Sequence, residues 1–289
     1  MADNIFPSVG GTSFPPPGQT HNDTPALSLR GVSKSFGAVR ALTEVDFEVY
    51  PGEVVGLVGD NGAGKSTLIK AIAGVNPADT GEILIDGRPA RITSPQSAAS
   101  LGIETVYQDL ALCDNLDVVA NLFLGREKHA FLRTLDEAQM EYSALEVLRT
   151  LDVKLPSARA LVAALSGGQR QSIAVAKCIL RQAKVVLLDE PTAALGVAQT
   201  KQVLALIRRL REQGLAVVVI SHNLADVFEV VDRVVVLRLG RMVGTFDIKN
   251  TTPERVVAAI TGAEFGSLMN AEEGNGNGNG QRGGMYSNE

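Results

Sequence analysis

The segment Gly59-Asp60-Asn61-Gly62-Ala63-Gly64-Lys65-Ser66-Thr67 constrains this chain more than any other. Its first eight residues satisfy GxxxxGK[ST] in full. An apolar run over 54–58 leads in as a strand, and 66–74 leads out as a helix. Glycines let backbone N–H groups turn inward and approach phosphate oxygens closely, which makes an anion nest. The helix that follows points its positive end at the same place. Lys65 supplies a full charge to the β- and γ-phosphates and Ser66 a hydroxyl to Mg²⁺, with Asp60, Asn61, Ala63 and Thr67 in the same binding set. A glycine-rich turn with a chance Lys-Ser is the bland alternative, and the strand and helix on either side weigh against it.

A second feature answers the first. Residues 184–190 form an apolar strand that ends in Asp189 and Glu190. Such a strand presents both carboxylates at the carboxyl edge of an open sheet, where these folds bind ligands. Asp189 is then placed to hold Mg²⁺, and Glu190 to polarise the water that attacks a γ-phosphate. Apolar strands ending in Asp-Glu are common, so the pair takes its meaning from the phosphate loop.

The organisation of the chain suits this reading. Residues 27–32, 45–50 and 53–58 mix β-branched and alternating apolar residues, and 83–85 follow a turn at Thr80-Gly81. The middle of the chain changes character: over 136–151, Met140, Leu145, Leu148 and Leu151 recur at helical spacing. After it come short apolar runs at 185–188, 216–220 and 233–237, whose lack of alternation suits a parallel sheet covered on both faces. Strands alternating with helices give an α/β sheet with a helical insertion. Residues 1–25 are rich in Pro, Gly, Ser and Thr, and 265–289 are rich in Gly and Asn, so both read as flexible tails around a body at 26–264.

Composition narrows the partners. With 27 Lys+Arg against 32 Asp+Glu the net charge is −5, which gives no global reason to expect nucleic acid. Cys113 and Cys178 are too few and too far apart for a disulfide framework or a CxxC site, and read as reduced packing residues. A spanning helix needs ~20 consecutive apolar residues, and runs such as 215–220 fall far short. The first 25 residues lack a basic start followed by an apolar run, so no signal peptide is expected. Any service to a membrane would go through a partner.

Leu165-Ser166-Gly167-Gly168-Gln169 narrows the family. A serine and two glycines at a helix start form another anion site, and the helix continues with Ile173, Val175, Ala176, Ile179 and Leu180. One chain does not need two γ-phosphate sites for one nucleotide. The economical arrangement is a head-to-tail dimer in which this loop closes over the partner's nucleotide. With that motif in place, residues 26–264 resemble the ATPase subunit of an ATP-binding-cassette (ABC) transporter, in the order phosphate loop, Gln108, Leu165 to Gln169, Asp189-Glu190, His222.

The resemblance implies an α/β fold: a P-loop NTPase core of mostly parallel sheet flanked by helices, an antiparallel β subdomain, and a helical insertion at about 109–181. It implies ATP and Mg²⁺ as ligands and ATP hydrolysis as the activity. Gln108 would contact Mg²⁺ and water near the membrane subunits, joining Ser66 and Asp189 as metal-side residues. His222, after the run 216–220, would contact the γ-phosphate, giving Glu190, His222, Gln108 and Lys65 as the catalytic set. Phe36 would stack on adenine, though core packing is its other reading. His21 and His129 match no motif and read as surface residues. One departure is visible: where the family usually has Leu-Asp after Pro191-Thr192, this chain has Leu195-Gly196, which puts the detail of cross-dimer coupling in doubt.

The resemblance also implies partners: a second copy, integral membrane permease subunits and, indirectly, a substrate-binding protein, with the chain on the cytoplasmic face of the membrane. The permease would meet 108–124, where Leu110, Leu112, Leu116 and Leu122 offer apolar contact or serve as core of the insertion. Residues 74–83, 94–98 and 106–110 look like those of monosaccharide importers of the ribose, xylose and fructose group, many of which fuse two cassettes where this chain has one. An ABC transporter of another substrate, or a soluble ABC ATPase, is the alternative. A P-loop kinase or GTPase would have no use for Leu165 to Gln169.

Overall fold

The computed structural model describes residues 24–130 and 134–263; the expected C-terminal tail, and the expected N-terminal tail apart from residues 24 and 25, lie outside the described residues, as does His21. The strands form two sheets. One is antiparallel, ordered β2-β1-β4-β5, with β1 at Leu27–Phe36, β2 at Val39–Val49, β4 at Thr80–Ile85 and β5 at Arg88–Pro89. The other is ordered β10-β9-β3-β8-β7-β6, from β3 (Val54–Val58), β6 (Ile103–Val106), β7 (Val185–Asp189), β8 (Ala216–Ile220), β9 (Arg233–Arg238) and β10 (Arg241–Asp247). Strands β9, β3, β8, β7 and β6 run parallel, and β10 closes one edge antiparallel to β9.

Strands of the parallel sheet are apolar along their length because each face has its own core. Val54, Val58, Val186, Leu188, Val217 and Val219 pack toward one cluster, with helices α3 (Val118–Phe123), α4 (Glu137–Thr150), α5 (Gly167–Leu180), α6 (Val197–Glu212), α7 (Leu224–Val230) and α8 (Pro253–Thr261). Val55, Leu57, Val185, Leu187, Val218 and Ile220 pack toward the other, with the antiparallel sheet, α1 (Lys65–Ile72) and Ala98 of α2 (Pro95–Ser100). Gly56 belongs to the first face: a Cβ there would come within 2.7 Å of Val227 on α7. The small residue lets that helix lie close on β3, the strand that leads into the phosphate loop.

Several expectations need correction. Strand β1 runs on to Phe36 and β2 begins at Val39, because the two pair as a ribbon beyond the apolar segments that marked them. The expected turn at Thr80-Gly81 lies inside β4, paired with β1. Helix α1 stops at Ile72 rather than Gly74, where Gly74 takes a positive φ of 73° against Ser94. On α4 the buried stripe is Met140, Ala144 and Leu148, continued by Leu151, and Leu145 points to solvent. Leu122 is 2% exposed in the helical core and offers nothing to an outside partner, whereas Leu110, Leu112 and Leu116 are half-buried. Among the described residues, no helix is long and apolar enough to cross a membrane.

Candidate active site

Strand β3 ends at Val58 and the chain turns through 59–64 into α1. At Gly59 a side chain would run into the Leu237 carbonyl, and at Gly64, with φ 108°, a Cβ would sit 2.7 Å from the Ala41 carbonyl. Both positions need glycine for the loop to close against β9 and β2. Gly64 caps α1 with no side-chain acceptor, and the first turn carries no acidic residue, so its amides stay open to an anion. Ala63 is buried under the loop, and Asp60, Asn61, Gly62 and Ser66 are exposed. The Lys65 ammonium folds back to donate to the carbonyls of Gly59 (2.7 Å) and Asp60 (3.0 Å). Burial pulls its pKa down, and Glu190, Asp60 and Asp189 act in the opposite sense.

Strand β7 delivers the carboxylates beside this loop. Burial first and Glu190 second push the Asp189 pKa up, with Lys70 and Lys65 opposing them. A half-buried carboxylate next to a second one is a position where a bound cation restores the charge balance, and oxygen ligands suit a hard divalent ion. Glu190 takes a positive φ of 51°, and its N–H donates to the Ile220 carbonyl at 2.9 Å, extending the β7–β8 pairing by a residue. That turn places its Oε2 2.8 Å from Nδ1 of His222, just beyond β8. The imidazole is 74% exposed, so its remaining edge faces open space. A non-glycine residue in the left-handed region is costly and clusters at functional sites.

The other predicted residues divide. Gln108 lies exposed just past β6, the strand beside β7, and the Tyr107 hydroxyl before it has its pKa raised by burial with Asp189 contributing. Phe36 is 47% exposed at the tip of the β1–β2 ribbon, with the Lys34 ammonium 5.6 Å from its ring centroid. Ser166 caps α5: its Oγ accepts from the Gln169 N–H at 3.3 Å, and its own N–H donates to Gln169 Oε1 at 3.0 Å. Gly167 and Gly168 lie against Leu195, Gln199 and Gln202, a different set of neighbours from the Ala41, Leu42 and Leu237 that enclose the phosphate loop. Thr67 is half-buried in the first turn of α1.

Two partnerships lay outside sequence reasoning. The Thr192 hydroxyl donates to Asp226 Oδ2 at 2.7 Å, tying the turn after Glu190 to helix α7 after His222. Together with Leu195 and Lys201 these residues line an open groove of about 500 Å³ beside the Glu190–His222 pair. Lys70, one turn into α1, reaches the field of Asp189. No spacing rule links residues so far apart in the chain.

Comparison with known proteins agrees with this geometry. A family model described as "ABC transporter" matches residues 42–193. The fructose import ATP-binding protein FrcA of Rhizobium meliloti is 47% identical over 247 residues, covering 83% of this chain and 95% of that protein. The xylose/arabinose import ATP-binding protein XylG of Sulfolobus acidocaldarius is 43% identical, covering 86% and 98%. A dimeric ATP-binding cassette in a post-hydrolysis state, bound to ADP and Pi, superposes with a TM-score of 0.65 at 25% identity, covering 78% of this chain and 100% of that one.

Proposed function

Because this chain belongs to the ABC transporter ATPase family, we propose that it binds and hydrolyses ATP to drive a membrane importer of simple sugars. The observation that carries the chemistry is the meeting of Lys65, the Asp189-Glu190 pair and His222 at the carboxyl edge of one parallel sheet. The sugar assignment rests on relatives named for fructose and xylose/arabinose import.

In this mechanism the amides of 59–67 receive the β- and γ-phosphates, and the Lys65 ammonium leaves the Gly59 and Asp60 carbonyls for them. Phe36 offers its open face to adenine. Ser66, Asp189 and Gln108 would hold Mg²⁺, which when bound neutralises phosphate charge. Glu190 accepts a proton from the water that attacks the γ-phosphorus; the bond to the bridging oxygen breaks, leaving ADP and phosphate. His222 holds the Glu190 carboxylate in place and turns its exposed edge toward the γ-phosphate. Positioning and charge stabilisation supply most of the acceleration.

Ser166 and Gly168 serve the nucleotide of a second copy, head to tail; that a solved cassette bound to ADP and Pi is dimeric supports the pairing of two copies. Closure and opening of the pair pass to integral membrane subunits through the surface around Gln108, Leu110, Leu112 and Leu116. A substrate-binding protein delivers the sugar from the other side, and the chain works at the cytoplasmic face.

Glu190→Gln should bind ATP as the parent does and turn it over at least ~10²-fold more slowly, the scale of a lost general base. Near-normal turnover would remove Glu190 from that role. For transport, the chain should co-purify with an integral membrane protein in vesicles that take up a monosaccharide only with ATP supplied on this chain's side. Uptake indifferent to ATP would overturn the assignment.

A further inference from the structure

The tip of the β1–β2 ribbon poses a mechanical problem. Pairing between β1 and β4 ends at Ser33 opposite Thr80, so Lys34, Ser35 and Phe36 run on with β2 as their strand partner. A two-stranded ribbon is a weak support, and Gly37 turns it with a positive φ of 58°. Phe36 nevertheless has to hold its ring still for a base to stack on it.

Asp79, immediately before β4, supplies what the missing strand does not. Its N–H donates to the Ser33 carbonyl at 2.9 Å. Its Oδ2 accepts from the Ser35 N–H at 2.7 Å, the position a fourth-strand carbonyl would otherwise fill. Its Oδ1 accepts from the Lys34 ammonium at 2.7 Å. That ammonium, on a side chain only 15% exposed, stands 5.6 Å from the centre of the Phe36 ring. One carboxylate thus pins the backbone before Phe36 and also the cation that rests against the ring. With Lys34 on one face, the ring presents its other face to a ligand.

We infer that Asp79 is a positioning residue for base recognition: through Ser35 and Lys34 it locks the Phe36 ring as a platform for the purine of the nucleotide. This rests on reading Phe36 as that platform. The hydrogen bonds and ion pair of Asp79 go to Ser33, Lys34 and Ser35 rather than to phosphate-loop or hydrolytic residues, so its removal should weaken grip on the base and leave the phosphate site intact.

Inorganic tripolyphosphate separates the two, because it offers the phosphates without the base. Equilibrium binding of ATP and of tripolyphosphate, each with magnesium, is measured on the full chain for Phe36→Ala, Asp79→Ala and Asp79→Asn. Stacking of a base on an aromatic ring is strong enough that Phe36→Ala should weaken ATP about tenfold or more, with tripolyphosphate changed less than about twofold. Asp79→Ala should move in the same sense, by roughly three- to tenfold for ATP alone. Asp79→Asn keeps one acceptor and should fall between Asp79→Ala and the parent. For the two Asp79 variants, turnover at saturating ATP should stay near the parent value, with the change in KM.

If Phe36→Ala lowers ATP affinity selectively and Asp79→Ala does not, the inference about Asp79 fails while the platform stands. If Phe36→Ala is without selective effect, the platform reading fails and the inference with it. Equal losses of ATP and tripolyphosphate in Asp79→Ala would make Asp79 a general structural support and also overturn it.

Discussion

Asp189 occupies a position where burial and a neighbouring carboxylate both oppose its charge, and that cost indicates what the position is for. An acid whose pKa is raised on folding destabilises the fold once ionised: the penalty is full above the raised pKa, shrinks as pH falls through it, and vanishes below the ordinary value of 3.8. Asp189→Asn should therefore raise the melting temperature of the nucleotide-free protein at pH 7, lose that advantage near pH 3, and abolish ATP turnover. Thermal denaturation at the two pH values with a parallel phosphate-release assay checks all three; a variant less stable at pH 7 would contradict the argument. At this scale the sequence was most informative where chemistry needs a dense local pattern. Lys65 and the glycines around it are adjacent in the chain, and Asp189 and Glu190 end one strand. The contact of Glu190 with His222 depends on pairing between β7 and β8, which no single segment encodes.

At the scale of elements, the ends of helices carry more function than their middles. Helix α5 begins with a closed capping box between Ser166 and Gln169, so the backbone at its start is preorganised by its own side chains. Helix α6 begins at Gly196, whose φ of −74° and ψ of 162° are those of an ordinary N-cap, with no side-chain acceptor. A Cβ there meets nothing within 4 Å. Gly196→Asp should fit without strain, cap α6, and stabilise the fold by about 0.5 kcal/mol through the cap and the helix dipole. A small rise in melting temperature would agree; a fall would mean that the turn after Glu190 resists the carboxylate. Helical periodicity located α4 but misassigned Leu145, because the buried stripe passes through Ala144, a residue too small to stand out in an apolar pattern. The reach of β1 to Phe36 was hidden for the opposite reason: its outer residues are polar, and backbone pairing with β2 rather than apolar burial keeps them extended.

For the whole molecule, the two cores explain how a rigid sheet can hold an open site. The parallel strands are clamped between α1 and α2 with the antiparallel sheet on one face and helices α3 to α8 on the other. Loops at the carboxyl edge then carry the reactive groups on a fixed base. Ser166 to Gln169 packs beside α6 instead of over the phosphate loop, and in the head-to-tail pair proposed above it is the loop that each copy offers the other. Glu190→Gln should accordingly be a dimer by solution mass with Mg·ATP and a monomer with Mg·ADP. A monomer in both would mean that closure requires the membrane subunits, or that the Ser166 loop serves only as a cap.

What the sequence by itself determined were features with local grammar: a phosphate loop between a strand and a helix, carboxylates ending an apolar run, a capped helix start, and strands without alternation that demanded two covered faces. Periodicity and backbone chemistry act over a few residues, so a linear reading captures them. Only the tertiary structure decided what depends on distance across the chain: the order of strands that brings His222 to Glu190, the Thr192–Asp226 tie, the closeness of α7 that Gly56 permits, and the Asp79 carboxylate that completes the ribbon under Phe36. Such contacts form when separate hydrophobic segments are buried against shared cores, and the residues that then meet carry no mark of one another in the sequence.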